Sequence, residues 1–416
     1  MGPHRQSYLV RMRRRAFLAS GLAGLALPAA ASAATANAPL DQAAFDTWEA
    51  DFIARASRGG VSSELLKREF KDLTLDPKVV ALDGEQPEFS RPISDYIRSV
   101  ASDERVAVGR SRRAAAPWLD GIEQRYGTPP EVLVSIWAVE SGFGAIQGDF
   151  DVLRSLATLA AAGRRRDWAE EQILAVMRII GSGEASRAQL KGSWAGAMGQ
   201  TQLEPQAYLD DAVDARGGGR PDVWGSSEDA LASAANLLDK SGWRRSEAWQ
   251  REARLPASFD YGLAEGLPKP VAAWWALGVR PMLGDSFGER APEAVLLLPA
   301  GAAGPAFFAY PNHFIIRKYN NSIAYALGVG LLADRIAGRA GVVAPWPHEL
   351  PLSIADRVGA QAALIKLGYD AGPADGQIGL KTRIALRAWQ HSKGLPADGY
   401  LSPHVAGLLV AQAAGR

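Results

Sequence analysis

Between residues 41 and about 340 the apolar side chains recur at helical spacing, and the recurrence is cut repeatedly by glycine and proline. No sustained apolar/polar alternation and no repeat at solenoid spacing interrupts this pattern, so a mainly α domain is the expected fold. Two stretches depart from it. "EGLPKPVAAWWALGVRPM" and "APEAVLLLPAGAAGPAFFAYPNHF" are rich in Pro, Gly and aromatics and read as strands or loops. At residues 341–351 the text becomes "GVVAPWPHELP", whose prolines deny a helix and predict an extended connection. Residues 352–416 then leave room for one small domain.

The first residues do not belong to that fold. "RMRRRAFLASGLAGLALPAAASA", residues 11–33, joins an arginine cluster to an apolar run and a small-residue site at Ala31-Ser32-Ala33. That order reads as an export signal over residues 1–33, too short in its apolar part to span a bilayer. Arg14-Arg15-Ala16-Phe17-Leu18 favours the twin-arginine form over general secretion. The chain has no cysteine, so neither a disulfide nor a lipid-anchoring thiol is available. A soluble periplasmic protein is expected. Loss of the leader's five arginines takes the formal charge from +1 to −4, which offers no electrostatic footprint for nucleic acid.

The segment with most chemistry is "TPPEVLVSIWAVESGFG". Thr128 as cap, proline in the first turn and Glu131 predict a helix start. Leu133, Ile136, Trp137 and Glu140 then share one face, and Gly142 and Gly144 end the helix. Glu140 thus closes an apolar stripe at a helix C-terminus, with Ile136 and Gly144 as its helical neighbours and no local cation. Desolvation and the helix dipole both favour its protonated form and should raise its pKa. A neutral carboxylic acid is what protonation of a leaving-group oxygen requires. From the face pattern alone, a glutamate turned out to solvent is the commoner outcome.

The wider text shifts that balance. "EVLVSIWAVESGFG…FDVLRSLATLA" resembles the catalytic segment of the B-type lytic murein transglycosylases, glycoside hydrolase family 103, with Val139-Glu140-Ser141-Gly142-Phe143-Gly144 on its acid motif. "QPEFSRPISDYI" is similar to the family's opening block, "GSWAGAMGQTQLEPQAY" to its glycine-rich block, and "YPNHFIIRKYNNSIAYALGVGLLADRI" to its closing helix. The resemblance implies a lysozyme-like α+β catalytic domain over residues 40–340 and a single acid/base, Glu140. It implies that Ser193 and Gln202 line the cleft, and that Tyr319, Asn320 and Tyr325 face it. Tyr319, Ser322 and Ile323 read as one helix face, with Tyr325 slightly off it. Leu203 and Gln206 depart from the family's Phe and Ser/Thr and predict a weaker sugar platform. Trp194 is either core or a stacking surface. Arg164-Arg165-Arg166 is either a contact for stem-peptide carboxylates or a solvated charge run.

In some family members a D-x-[DS]-x-D-G loop binds calcium. Here "DARGGGRPDVWG" keeps Asp214 but places Arg216 and Gly218 at the next ligand positions and Gly225 where a terminal carboxylate would stand. A hard cation needs several oxygens and is repelled by arginine, so no metal or other cofactor is expected.

In residues 352–416, Ser353 should cap a helix burying Val358, Ala362 and Ile365. "GYDAGPADGQIGLKTRIALRAWQHSKGLPADG" is similar to type-1 peptidoglycan-binding domains, with Asp375-Gly376 and Asp398-Gly399 as tight turns in a small three-helix unit. The expected whole is an exported, monomeric lytic transglycosylase acting on peptidoglycan glycan strands. Wall-synthesis proteins are further candidate partners, and neither nucleic acid nor a membrane anchor is expected. A hydrolytic muramidase and a non-catalytic wall-binding protein are the alternatives.

Overall fold

The computed structural model describes residues 40–84, 92–217, 219–284 and 293–415. The export segment and the first half of "QPEFSRPISDYI" lie outside these residues. The described part is mainly helical, with one short two-stranded pairing and one five-stranded sheet.

The helix over Pro130–Ser141 forms the centre of the large core. Val132, Leu133, Val134, Ile136 and Ala138 are fully buried, so it is surrounded on all sides and not merely on one stripe. At about 1.5–3 kcal/mol per fully buried aliphatic side chain, this packing outweighs any propensity term. Its start differs from expectation. Thr128 is not the cap, since Pro129 takes that position without a side-chain bond and Pro130 opens the helix. Its end is as expected: Gly142 adopts φ +57°, and the amides of Gly142 and Phe143 close onto the carbonyls of Ala138 and Trp137.

Helix Ile323–Ile336 packs against it and is likewise buried almost throughout. Tyr325, near its start, meets Glu140, near the end of the other. Glu131 and Asp334, at the opposite ends, line a common cavity of about 730 Å³. The two helices therefore run in opposite directions. None of the candidate site residues lines that cavity.

The closing block is not one helix. Pro311–Tyr319 ends at an extended Asn320 (φ −142°, ψ 121°), and Ser322 caps a second helix by accepting from the Tyr325 amide. The i+3, i+4 relation expected from Tyr319 fails because the chain leaves helical geometry between the two tyrosines.

The two ambiguous Pro/Gly-rich stretches contain strands. β1 (Phe150–Asp151) pairs with β2 (Lys191–Gly192). β3 (Gln250–Arg254), β4 (Lys269–Pro270), β5 (Arg280–Pro281), β6 (Glu293–Leu297) and β7 (Ala306–Ala309) form an antiparallel sheet in the order β4-β6-β7-β3-β5. Phe307 faces the main helical core, while Phe308 joins Trp274 and Leu296 in a second core. With both faces covered, alternation is absent from "AVLLL" and "AFFA".

Residues 341–351 are extended, as the prolines predict, but not loose. Glu252 accepts from the amides of Val343 and Ala344 (both 2.7 Å), and Trp346 lies 6.3 Å from Phe307. The last segment folds as three helices, Ile354–Lys366, Leu380–Ser392 and Pro403–Ala413, around its own core of Leu364, Leu386, Trp389 and Leu409. The first of these is capped by Ser353 as expected, but Ala362 and Ile365 are exposed while Ala360, Gln361 and Leu364 are buried. Gln361 belongs inside because its amide donates to the Pro373 and Gln377 carbonyls and accepts from the Gly376 amide, fixing the Asp375-Gly376 turn. The unit docks on the sheet lobe: Glu265 receives Arg383 (2.6 Å) and Arg387 (2.9 Å), and Asp398 accepts from the Ala302 amide (2.7 Å).

Candidate active site

Glu140 occupies the one turn of its helix that emerges from the core, partly exposed after seven buried residues from Val132 to Ala138. Its carboxyl is pushed up to about 7, first by burial, with the hydrogen bond from Tyr325 pulling the other way. That bond runs from Tyr325 Oη to Glu140 Oε1 at 2.5 Å. Burial, with the Glu140 charge adding to it, holds the Tyr325 phenol well above its ordinary value, so at neutral pH it donates. An ordinary glutamate is almost wholly ionised at pH 7, whereas a carboxyl raised to about 7 keeps a substantial protonated fraction there.

Tyr96, from helix Ile93–Val100, is the second phenol in the neighbourhood; burial and the Glu140 carboxylate both push it up. Its approach depends on Gly328, where a Cβ would lie 3.1 Å from the Tyr96 ring. In the sequence, the only signal for Tyr96 is its place near the end of the opening block "QPEFSRPISDYI".

The glycine-rich block wraps the other side. Ser141, next to Glu140, is buried and donates from Oγ to the Gln200 carbonyl (2.5 Å), while the Gly144 amide donates to Ser141 Oγ (2.9 Å). Gln200 and Gln147 both send their amide nitrogens to the Trp224 carbonyl, at 3.0 and 3.1 Å. The sequence alone gives none of these four a role: Ser141, Gln200 and Trp224 lie inside motifs whose chemistry points to other residues, and Gln147 lies in none.

The predicted cleft residues fall in two groups. Gln202, held at φ +50°, donates from Nε2 to the carbonyls of Gln147 and Gly199 (both 2.9 Å) and is partly exposed. Ser193, also partly exposed, accepts from the Ala197 amide at 3.1 Å. Tyr319 donates to the Thr201 carbonyl (2.8 Å), fastening the end of its helix to the same block, and Asn320 follows it, partly exposed. Tyr325 is the predicted residue that hydrogen-bonds to Glu140.

Other candidates are otherwise engaged. Arg164 and Arg165 pair with Asp83, and the Arg165 guanidinium lies over both Trp168 (5.0 Å) and Trp194 (5.5 Å). Trp194 is thus packed against the core and half-buried beneath an arginine. Asp151 caps helix Val152–Ala162 and pairs with Arg187 (2.9 Å).

At the meeting of a helix end, a glycine-rich block and a second helix start, a raised carboxyl accepts a hydrogen bond from a phenol, an arrangement able to hold and deliver a proton. Comparison with known proteins gives the family. Residues 44–334 match the family described as "Transglycosylase SLT domain", and residues 354–409 match "Putative peptidoglycan binding domain". The chain belongs to the transglycosylase SLT-domain family. It is 31% identical over 221 residues to the membrane-bound lytic murein transglycosylase B of Escherichia coli, covering 51% of this chain and 58% of that protein. The chain thus matches a little over half of that relative's length. The fold is similar to SltB3 from Pseudomonas aeruginosa, solved with NAG-anhNAM-pentapeptide, at TM-score 0.83 and 44% identity over 88% of this chain and 99% of that one. It is also similar to the Escherichia coli lytic transglycosylase Slt35, solved with calcium, at TM-score 0.61 and 26% identity over 71% and 93% of the two chains. No helix among the described residues is long and apolar enough to cross a membrane.

Proposed function

We propose that this protein is an exported, periplasmic lytic transglycosylase that cleaves the β-1,4 bond between N-acetylmuramic acid and N-acetylglucosamine in peptidoglycan. Residues 40–340 form the catalytic unit, residues 341–351 the connection and residues 352–416 the wall-binding unit of a monomer. The observation that carries the reading is Glu140, its carboxyl raised to about 7 and held by Tyr325 at the mouth of the core.

Glu140 gives its proton to the glycosidic oxygen as the C1–O bond breaks. The muramyl 2-acetamido group and the oxocarbenium character of the ring share the positive charge at C1. The Glu140 carboxylate then takes the proton of the muramyl C6 hydroxyl, whose oxygen closes on C1 to form the 1,6-anhydro ring. Bonds and protons balance, and no water is consumed. Tyr325 keeps the carboxyl oriented in both steps. Gln202, with its amide hydrogens on carbonyls, presents Oε1 as an acceptor for sugar hydroxyl and amide groups. Ser193, Tyr319 and Asn320 line the cleft beside it.

The test is product mass. Digestion of purified murein should release muropeptides lighter by one water than those from a hydrolytic muramidase. Products carrying a reducing muramic end would place the protein with the hydrolases instead, and no soluble product would make it a wall-binding protein.

No metal takes part. Asp214 accepts from the amides of Arg216, Gly217 and Gly219, and the Arg216 guanidinium pairs with Glu228 at 2.8 Å, so a cation would have to displace donors already in place. Millimolar calcium or a chelator should leave both melting temperature and turnover unchanged. A melting temperature raised by calcium by more than about 2 °C would contradict this.

A further inference from the structure

The segment "DARGGGRPDVWGSSED", residues 214–229, runs into the first turn of helix Ser227–Lys240, and Asp214, Asp222 and Asp229 bind amides of the same segment. Asp229 is buried, and its two carboxylate oxygens accept from the Ala215 amide (3.1 Å) and the Asp222 amide (2.9 Å), so one side chain ties the two arms of the loop. Asp222 in turn accepts from the amides of Trp224 (3.1 Å) and Gly225 (2.8 Å). These bonds fix where the Val223 and Trp224 carbonyls point.

Those two carbonyls meet the site. The Val223 carbonyl accepts from the Gln200 amide (2.9 Å), and the Trp224 carbonyl accepts from the side chains of Gln200 and Gln147. Gln200 passes the placement on through its own carbonyl to Ser141, the neighbour of Glu140. Gln147 does so through its carbonyl to Gln202. The fit is close, since a Cβ on Gly144 would stand 2.7 Å from Gln200 Oε1.

We infer that Asp229 is a positioning residue for the reaction, acting through the Trp224 carbonyl to set where Glu140 and Gln202 stand. This rests on the reading of Glu140 as the acid. A protein carboxylate braces the loop, and the brace ends on the glutamine that holds the helix end.

The test compares full-length Asp229→Asn, Gln200→Leu and the double variant, with kcat, KM and the pH profile measured on glycan fragments. Asparagine keeps one acceptor and turns an NH₂ group toward the other amide. The expected result is a fall in kcat of about tenfold with KM changed less than about threefold, as for misplacement of a reacting group. The alkaline limb should move to lower pH as water reaches a loosened helix end and the acid drifts toward its ordinary value. The double variant should be no worse than the poorer single one, because both cut the same chain of bonds. Multiplicative losses, or an unmoved limb in Asp229→Asn, would overturn the inference. Should that variant fail to fold, Asp222→Ala, an exposed position on the same turn, is expected to give the same limb shift, and its absence counts equally against the brace. Glu140→Gln run in parallel separates the two failures: if it is inactive, an indifferent Asp229→Asn refutes the brace alone, and if it is active the acid reading itself falls.

Discussion

Glu140→Gln is expected to lose at least about a thousandfold in turnover on peptidoglycan, because one group serves first as acid and then as base. Glutamine keeps the volume and an acceptor for Tyr325, so the site should stay assembled. The stability change should have the opposite sign. A carboxyl raised to about 7 binds its proton more tightly folded than unfolded, so it costs stability as pH climbs from its ordinary value through 7. Removing that burden should stabilise the variant by roughly 3 kcal/mol above pH 7, and by little at pH 4, where both states are largely protonated. Activity by muropeptide release and melting curves at the two pH values check both halves. An inactive variant that is also less stable at pH 8 would point to a structural role, and retained turnover would remove Glu140 from the chemistry.

Much of this site was legible in the sequence where polar residues stand out against apolar ones. Glu140 could be singled out because it closes a run that buries every residue from Val132 to Ala138. The glycines after it marked the helix end, and they do adopt positive φ. What could not be read was polar structure inside the core. Gln361 is buried because it binds a turn many residues away, so a pattern that scores glutamine as surface shifts the whole helix face toward Ala362 and Ile365. The break between Tyr319 and Tyr325 was hidden for a related reason. Ser322 is a cap, but "YNNSIAYA" also fits an unbroken helix, and only tertiary bonds such as Tyr319 to Thr201 decide between them. Tyr96 and Trp224 reach the site from distant parts of the chain, and Gln147, though close in sequence, follows the helix end, where no regular spacing relates it to Glu140. Strands β6 and β7 lacked alternation because they have two buried faces.

Tyr325→Phe carries the second large effect, and its direction tests the electrostatics of the site. The Tyr325 hydroxyl donates to Glu140 Oε1 and so favours the ionised carboxylate; burial alone would push the acid higher than about 7. With phenylalanine, the proton is held more tightly, and the alkaline limb of kcat/KM should move to higher pH. Turnover at the optimum should nevertheless fall. A hydrogen bond to a charged group is worth about 1.5–3 kcal/mol, which corresponds to roughly a ten- to hundredfold loss in rate if it is made in full when the carboxylate receives the C6 proton. The two changes are separable, because the activity ratio between pH 8 and pH 6 should rise while the maximum drops. A limb that moves down would mean that water replaces the phenol and solvates the charge better than Tyr325 does. A limb that stays in place with full turnover would mean that the contact orients nothing and that another group, such as the Tyr96 phenol that the Glu140 charge pushes up, governs the proton.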